Sequence, residues 1–192
     1  MRMLALSLMS TNAGSVPLNL VCHPQTPSRS VHGVEVVVQA SAEGALTARY
    51  VLTGDLSALR IPEYRSPQRS DALWQHTCCE AFVMAGDGPG YREFNFSPSG
   101  EWAAYSFQRY RNAGETVVGS KPEIRVSRSA DRLELAAEFD AGLTLDCRSL
   151  RLGLSAVVEQ TDGGLSYWAL RHPPGRPDFH HLDAFALQLD LT

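Results

Sequence analysis

From about residue 18 to the C-terminus, apolar side chains recur at every second position, and no helical stripe interrupts them. Val34, Val36, Val38 and Ala40 form one such face, and Leu46, Ala48, Tyr50 and Leu52 form the next, with Glu43-Gly44 as the turn between them. The pattern returns at Leu133-Leu135-Ala137-Phe139, at Leu150-Leu152-Leu154-Ala156-Val158 and at Phe185-Leu187-Leu189-Leu191, and more briefly at Ile124 and Val126. Side chains two apart on a strand share a face, so this pattern describes strands with one buried side, as in antiparallel sheets. About ten short strands predict an all-β chain: an antiparallel β-sandwich, jelly-roll-like. No internal repeat or second domain is visible, and residues 16–192 read as one domain behind a leader of residues 1–15.

The stretch 73–111 holds two of the three tryptophans, three of the six tyrosines and four of the seven phenylalanines, so it is the place to look for a ligand face. Strands are expected at 78–84, 91–97 and 101–107. They are joined by Ala85-Gly86-Asp87-Gly88-Pro89-Gly90 and by Ser97-Pro98-Ser99-Gly100, whose glycines and prolines suit tight turns of an antiparallel meander. Alternation assigns Phe94 and Phe96 to the core, and puts Tyr91, Glu93, Asn95 and Ser97 on the opposite face. Glu80 shares a face with Cys78, Phe82 and Met84. A carboxyl among apolar residues is either half-buried beside a partner, for which Arg92, Arg109 and Arg111 are available, or aimed into a cleft. Both readings stand on the sequence.

Trp74 lies between a polar loop and a strand, where an indole can serve as a stacking platform; Trp102 follows a turn beside Ala104 and Ser106 and fits either core or platform. Two connections are long for a compact β-domain. One is 57–70, with Pro62, Pro67 and three arginines; the other is 172–181, reading HPPGRPDFHH. His76, His172, His180 and His181 lack metal-site spacing, and His180 and His181 point apart in an extended segment.

Several function classes are disfavoured. A net charge of −4 gives no basic stripe for nucleic acid, and no apolar run reaches membrane-spanning length. There is no G-x-S-x-G elbow, P-loop, HExxH helix or Cys–His–Asn signature, and Glu80 with Glu93 as a glycosidase pair has no specificity of spacing. Cys22, Cys78, Cys79 and Cys147 show no C-x-x-C spacing and read as small buried residues in a reducing compartment. The apolar run 3–9 after Arg2 is short for a signal peptide and lacks a clear cleavage site, so a cytoplasmic location is expected, with the periplasm as the alternative if the leader is a signal.

The run Leu73-Trp74-Gln75-His76-Thr77-Cys78 with Glu80-Ala81-Phe82, and then Glu93 through Tyr105, resembles the bacterial DOMON-like domains, which are related to family-nine carbohydrate-binding modules. Tyr167-Trp168-Ala169-Leu170, the 172–180 loop and His23-Pro24-Gln25-Thr26-Pro27 fit the same resemblance, which covers 16–192. It implies a jelly-roll sandwich whose relatives bind sugars or haem. Met84 is the only methionine after the leader, so an axial Met–His pair for haem would have to use it with His172 or His180. The acidic loop clusters that hold calcium in secreted sugar-binding modules are absent.

The expectation is therefore a non-catalytic sandwich that binds a small polar ligand, a saccharide or sugar-containing metabolite, with no cofactor. Trp74 or Trp102 would supply the stacking surface. Glu80, Glu93 and Asn95 would hydrogen-bond from the sheet, while His76, His172 and His180 close the cleft from loops. The alternatives are a haem- or metal-binding redox accessory domain and a protein–protein interaction module.

Overall fold

The computed structural model describes residues 16–41, 44–86, 88–114, 121–142 and 149–191. The expected leader, Glu43 of the first turn, Asp87 of the glycine-rich connector and Cys147 lie outside the described residues. Twelve strands are formed: β1 (Leu18–Cys22), β2 (Val31–Ala40), β3 (Ala45–Gly54), β4 (Cys78–Ala85), β5 (Tyr91–Phe96), β6 (Trp102–Arg109), β7 (Asn112–Ala113), β8 (Glu123–Arg128), β9 (Arg132–Asp140), β10 (Ser149–Glu159), β11 (Leu165–Ala169) and β12 (Leu187–Asp190). All their pairings are antiparallel. Among the described residues no helix is long and apolar enough to cross a membrane.

Two layers result. The first runs β8-β9-β3-β2-β1, and the second β7-β6-β5-β4-β10, with β11 and β12 sharing the free edge of β10. β1 belongs to both: Leu18–Leu20 pair with β2, while Val21 and Cys22 pair with β11, so one strand joins the layers at their edge. Alternation then fills the space between them. Val34, Val36, Tyr50, Leu52, Leu135 and Phe139 meet Cys79, Ala81, Val83, Phe94, Phe96 and Leu152. Phe139 reaches across to Phe94 at 4.6 Å and to Phe96 at 5.0 Å between ring centroids. The expected antiparallel sandwich, the 78–107 meander and the core placement of Phe94 and Phe96 are all present.

The second sheet differs from the first in being covered on part of its outer face too. In β4, seven consecutive residues from Cys78 to Met84 are buried, Phe82 and Met84 on the outer face beneath the segment 170–186 and Cys78 beside Leu73 and Ala103. Phe185, which alternation assigns to the last strand, instead leaves it to pack on Phe82 and Tyr91, so β12 begins at Leu187. Gly153 permits this close crossing: a Cβ there would meet the Ala184 carbonyl oxygen at 3.2 Å and Phe82 Cβ at 3.4 Å. Cys78 and Cys79 point to opposite faces, and they and Cys22 are free thiols.

Candidate functional site

The segment 170–186 covers only part of the outer face, and the remainder is a cleft of about 900 Å³. Register places its floor. Ser155, Glu80, Asn95 and Ala103 lie side by side across β10, β4, β5 and β6, and Gly153, Phe82, Glu93 and Tyr105 form the adjoining row. Glu80 is 2% exposed and Glu93 5%. Glu80 Oε2 accepts from Ser155 Oγ at 3.1 Å, and Glu93 Oε1 accepts from Asn95 Nδ2 at 2.7 Å. Among the described residues no arginine pairs with either carboxyl; Arg92 instead donates to the Ala141 carbonyl at 2.7 Å. Burial, and then the neighbouring Glu93, hold Glu80 well above the ordinary carboxylate range, against the Ser155 hydroxyl. Burial also raises Glu93, while Asn95 and Arg111 oppose the rise. The floor therefore holds its protons more tightly than ordinary carboxyls do, and a protonated carboxyl can donate as well as accept.

His180 descends from the crossing segment into this face. Its ring packs edge-on against Phe82 at 5.1 Å and Phe107 at 5.0 Å. Tyr91 Oη lies 2.9 Å from Nδ1 and accepts the Arg111 backbone N–H at 3.1 Å. The other ring nitrogen, Nε2, lies 3.6 Å from Glu93 Oε2. Burial, with Arg111 next, pushes the imidazole down to about 4 against the pull of Asp178. At neutral pH the ring is uncharged, and its approach to Glu93 is neither an ion pair nor a hydrogen bond of normal length.

The mouth is built by loops. Residues 64–70 are stitched along the start of β6, with Ser70 N–H donating to the Trp102 carbonyl and Trp102 N–H to the Gln68 carbonyl. This brings Arg69 over the Tyr105 ring at 5.7 Å and to 3.0 Å from Asp71. Tyr105 Oη donates to Asp71 Oδ1 at 2.9 Å, and burial with that carboxylate pushes the phenol up to about 12. Ala72 then adopts a left-handed conformation (φ 61) that turns the chain into a single 3-10 turn carrying Trp74, which is 48% exposed at the mouth. On the far side Arg111 is also left-handed (φ 52) and pairs with Asp178 at 2.8 Å. These two are the non-glycine residues with positive φ among those described, and both sit at this cleft, where strain collects in functional sites.

Of the residues expected from sequence, Trp74, Glu80, Glu93 and His180 line the cleft together. Asn95 is fully buried beneath it and orients Glu93. Three others do not line it. Trp102 pairs in register with Phe96, so its indole faces the inter-sheet core and is 9% exposed. His76 turns outward and bonds Glu159 Oε2 at 2.8 Å, and His172 donates from Nε2 to the Val21 carbonyl at 2.7 Å. Met84 is packed in the apolar cluster beneath the crossing segment. Among the described residues no group of three or more His, Cys, Asp and Glu is placed to hold a metal ion.

Sequence reasoning passed over Tyr105, Phe107, Tyr167, Phe179, Arg69 and Arg176, and named Arg111 only as a partner for Glu80; all of them also line the cleft. The signal for two of them was present: Tyr105 and Phe107 alternate with Trp102, Ala104 and Ser106, and so must occupy the face that Trp102 does not.

No family model matches the chain, and no curated protein matches it in sequence. Solved structures do match in fold. One is a candidate carbohydrate-binding protein from Bacteroides uniformis ATCC 8492, with 16% identity, a TM-score of 0.67, and 93% of this chain and 87% of the other covered. Two are of a family-nine carbohydrate-binding module from Caldicellulosiruptor kristjanssonii. The complex with glucose has 8% identity and a TM-score of 0.57, covering 100% and 92%; that with cellotriose has 7% and 0.55, covering 91% and 82%. At these identities the likeness is one of fold, and the chain shares its β-sandwich with those carbohydrate-binding modules.

Proposed function

We propose that this chain is a non-catalytic, DOMON-like saccharide-binding domain, and that the sugar occupies the cleft on the outer face of the second sheet. The observation that carries this reading is the pair of buried carboxyls, Glu80 and Glu93, at the floor of an open cleft walled by aromatic rings. A pyranose presents apolar C–H faces and a rim of hydroxyls. Trp74 and Tyr105 offer ring surface for the first, and Glu80, Glu93 and His180 offer donors and acceptors for the second. About 900 Å³ accommodates one or a few sugar units, within the usual range of small-molecule sites. The solved modules of the same fold that hold glucose and cellotriose support the assignment.

The test is a thermal-shift panel of monosaccharides, oligosaccharides and nucleotide sugars. A ligand at about a hundred times its dissociation constant stabilises by roughly 2.7 kcal/mol, which is several degrees for a domain of this size. A flat response to every sugar would overturn the proposal.

A further inference from the structure

Saccharide binding alone does not account for the charge arrangement in the floor of the cleft. Hydroxyls are recognised well by one carboxylate with amides and hydroxyls around it, yet this floor has two carboxyls on the same face of adjacent strands, one register step apart. Neither has a cationic partner among the described residues. Among these residues Glu80 is bonded by Ser155 and Glu93 by Asn95, and none donates to Glu80 Oε1 or Glu93 Oε2, although both carboxyls border the cleft. Two like charges so placed and so buried are costly, and the protein meets that cost by raising both carboxyls above their ordinary range.

The surroundings reinforce the reading. Phe82 and Tyr105 flank Glu93 in the same register row, which puts aromatic rings beside the acidic pair. Negative ring faces together with buried carboxyls are the setting in which organic cations are held. The other charged groups lie toward the mouth and are largely spent on each other: Arg69 is held by Asp71 at 3.0 Å and Arg111 by Asp178 at 2.8 Å. Arg111 is close enough for Glu93 to feel it, and Arg176 adds a third positive charge to the cleft lining. His180 reaches the floor as an uncharged imidazole, with Nε2 3.6 Å from Glu93 Oε2. Tyr91 is turned away from the pair into its bonds with His180 and Arg111.

We infer that the ligand is a cationic sugar, one bearing a protonated amine, and that its ammonium group seats between Glu80 and Glu93. This rests on the saccharide reading and names its chemical class. An ammonium offers three donors, enough for both free carboxyl oxygens, and its charge lets the pair ionise fully. Binding then releases protons from the raised carboxyls.

Calorimetric titration at pH 6 with glucose, glucosamine, N-acetylglucosamine, glucuronate and ethylammonium decides the matter, because of the three neutral-backbone hexoses only glucosamine is cationic. The expected result is that glucosamine binds at least tenfold tighter than glucose or N-acetylglucosamine. Its binding enthalpy should change between buffers of different ionisation heat, reporting proton release, whereas that of glucose should not. Glu80→Gln and Glu93→Gln should each bring the glucosamine-to-glucose affinity ratio down to about one. Equal affinity for the three hexoses, or tighter binding of glucuronate, overturns the inference and leaves the saccharide reading standing. Binding of ethylammonium with no sugar bound supports a cation site and overturns the saccharide reading. Silence from all five ligands overturns both.

Discussion

Tyr50 on β3 extends its hydroxyl across the sandwich and donates to the backbone carbonyl of Glu80 on β4 at 2.6 Å. The phenol is 2% exposed, so this bond lies inside the inter-sheet core, directly behind the carboxyl that forms the cleft floor. Core and site are thus joined at one residue: the first layer fixes the height of the strand from which Glu80 projects.

Tyr50→Phe removes that donor while keeping the ring. A buried hydrogen bond to a carbonyl that also belongs to the sheet contributes about 1 kcal/mol net, and the variant is expected to lose that much in a urea titration with an unchanged m-value. An unchanged midpoint would mean the hydroxyl contributes nothing beyond ring packing.

Glu159 anchors the other end of the site. Its carboxylate accepts from Arg60 at 2.8 Å and bonds His76 at 2.8 Å, and His76 follows directly on the 3-10 turn that carries Trp74. Both partners are more than half exposed, so their charge contributes little, and Glu159→Gln should cost only about 1 kcal/mol. The local effect is expected to be larger. The amides of Gln75 and His76, which close that turn onto Ala72 and Leu73, should exchange with solvent faster in the variant while β3 and β9 amides keep their protection. Equal acceleration throughout would mean the pair is only a global brace.

What sequence made legible was the strand pattern and the residues that violate it. Glu80 stood out as a charge on an apolar face, and Phe94 and Phe96 as core, because alternation at period two needs no tertiary information. The parity of β6 was harder. Both of its faces carry aromatics, and choosing between Trp102 and Tyr105 requires knowing that Phe96 pairs with Trp102, which depends on the 97–100 turn closing with Gly100 at φ 87. His172 and His180 come from one loop of similar composition. Only long-range contacts separate them: Val21 captures the first at the sheet edge, while Tyr91, Phe82 and Phe107 draw the second into the cleft.

The two indoles supply a direct contrast. Trp74 is half exposed, so Trp74→Ala should leave stability within about 0.5 kcal/mol and weaken sugar binding about tenfold, the loss of one stacking surface. Trp102 fills the core, and Trp102→Ala should cost about 3–5 kcal/mol through the cavity it leaves. Calorimetric titration of the folded fraction separates the two effects. A Trp102→Ala protein that remains fully folded and stable yet binds no sugar would contradict its placement between the sheets.

Glu80 should cost the fold stability as pH rises through the raised folded-state value of its carboxyl. Its folded-state carboxyl holds a proton well above the ordinary value of 4.5, so between that value and the folded one the native state binds more protons than the unfolded chain. Stability from this group is complete below 4.5 and is lost as pH rises through the folded value; Glu93 acts in the same direction. His180 acts oppositely, because a pKa lowered from 6.5 to about 4 removes stability as pH falls through that interval. The two effects offset each other between 4.5 and 6.5, and above 6.5 only the carboxyls remain. Glu80→Gln mimics the protonated acid and does not titrate. Its urea midpoint is therefore expected to decline less from pH 6.5 to 9 than that of the unsubstituted protein, the remaining slope being that of Glu93, so that the variant is the more stable of the two at the alkaline end. Parallel pH profiles for the two proteins would show that Glu80 ionises freely in the folded state.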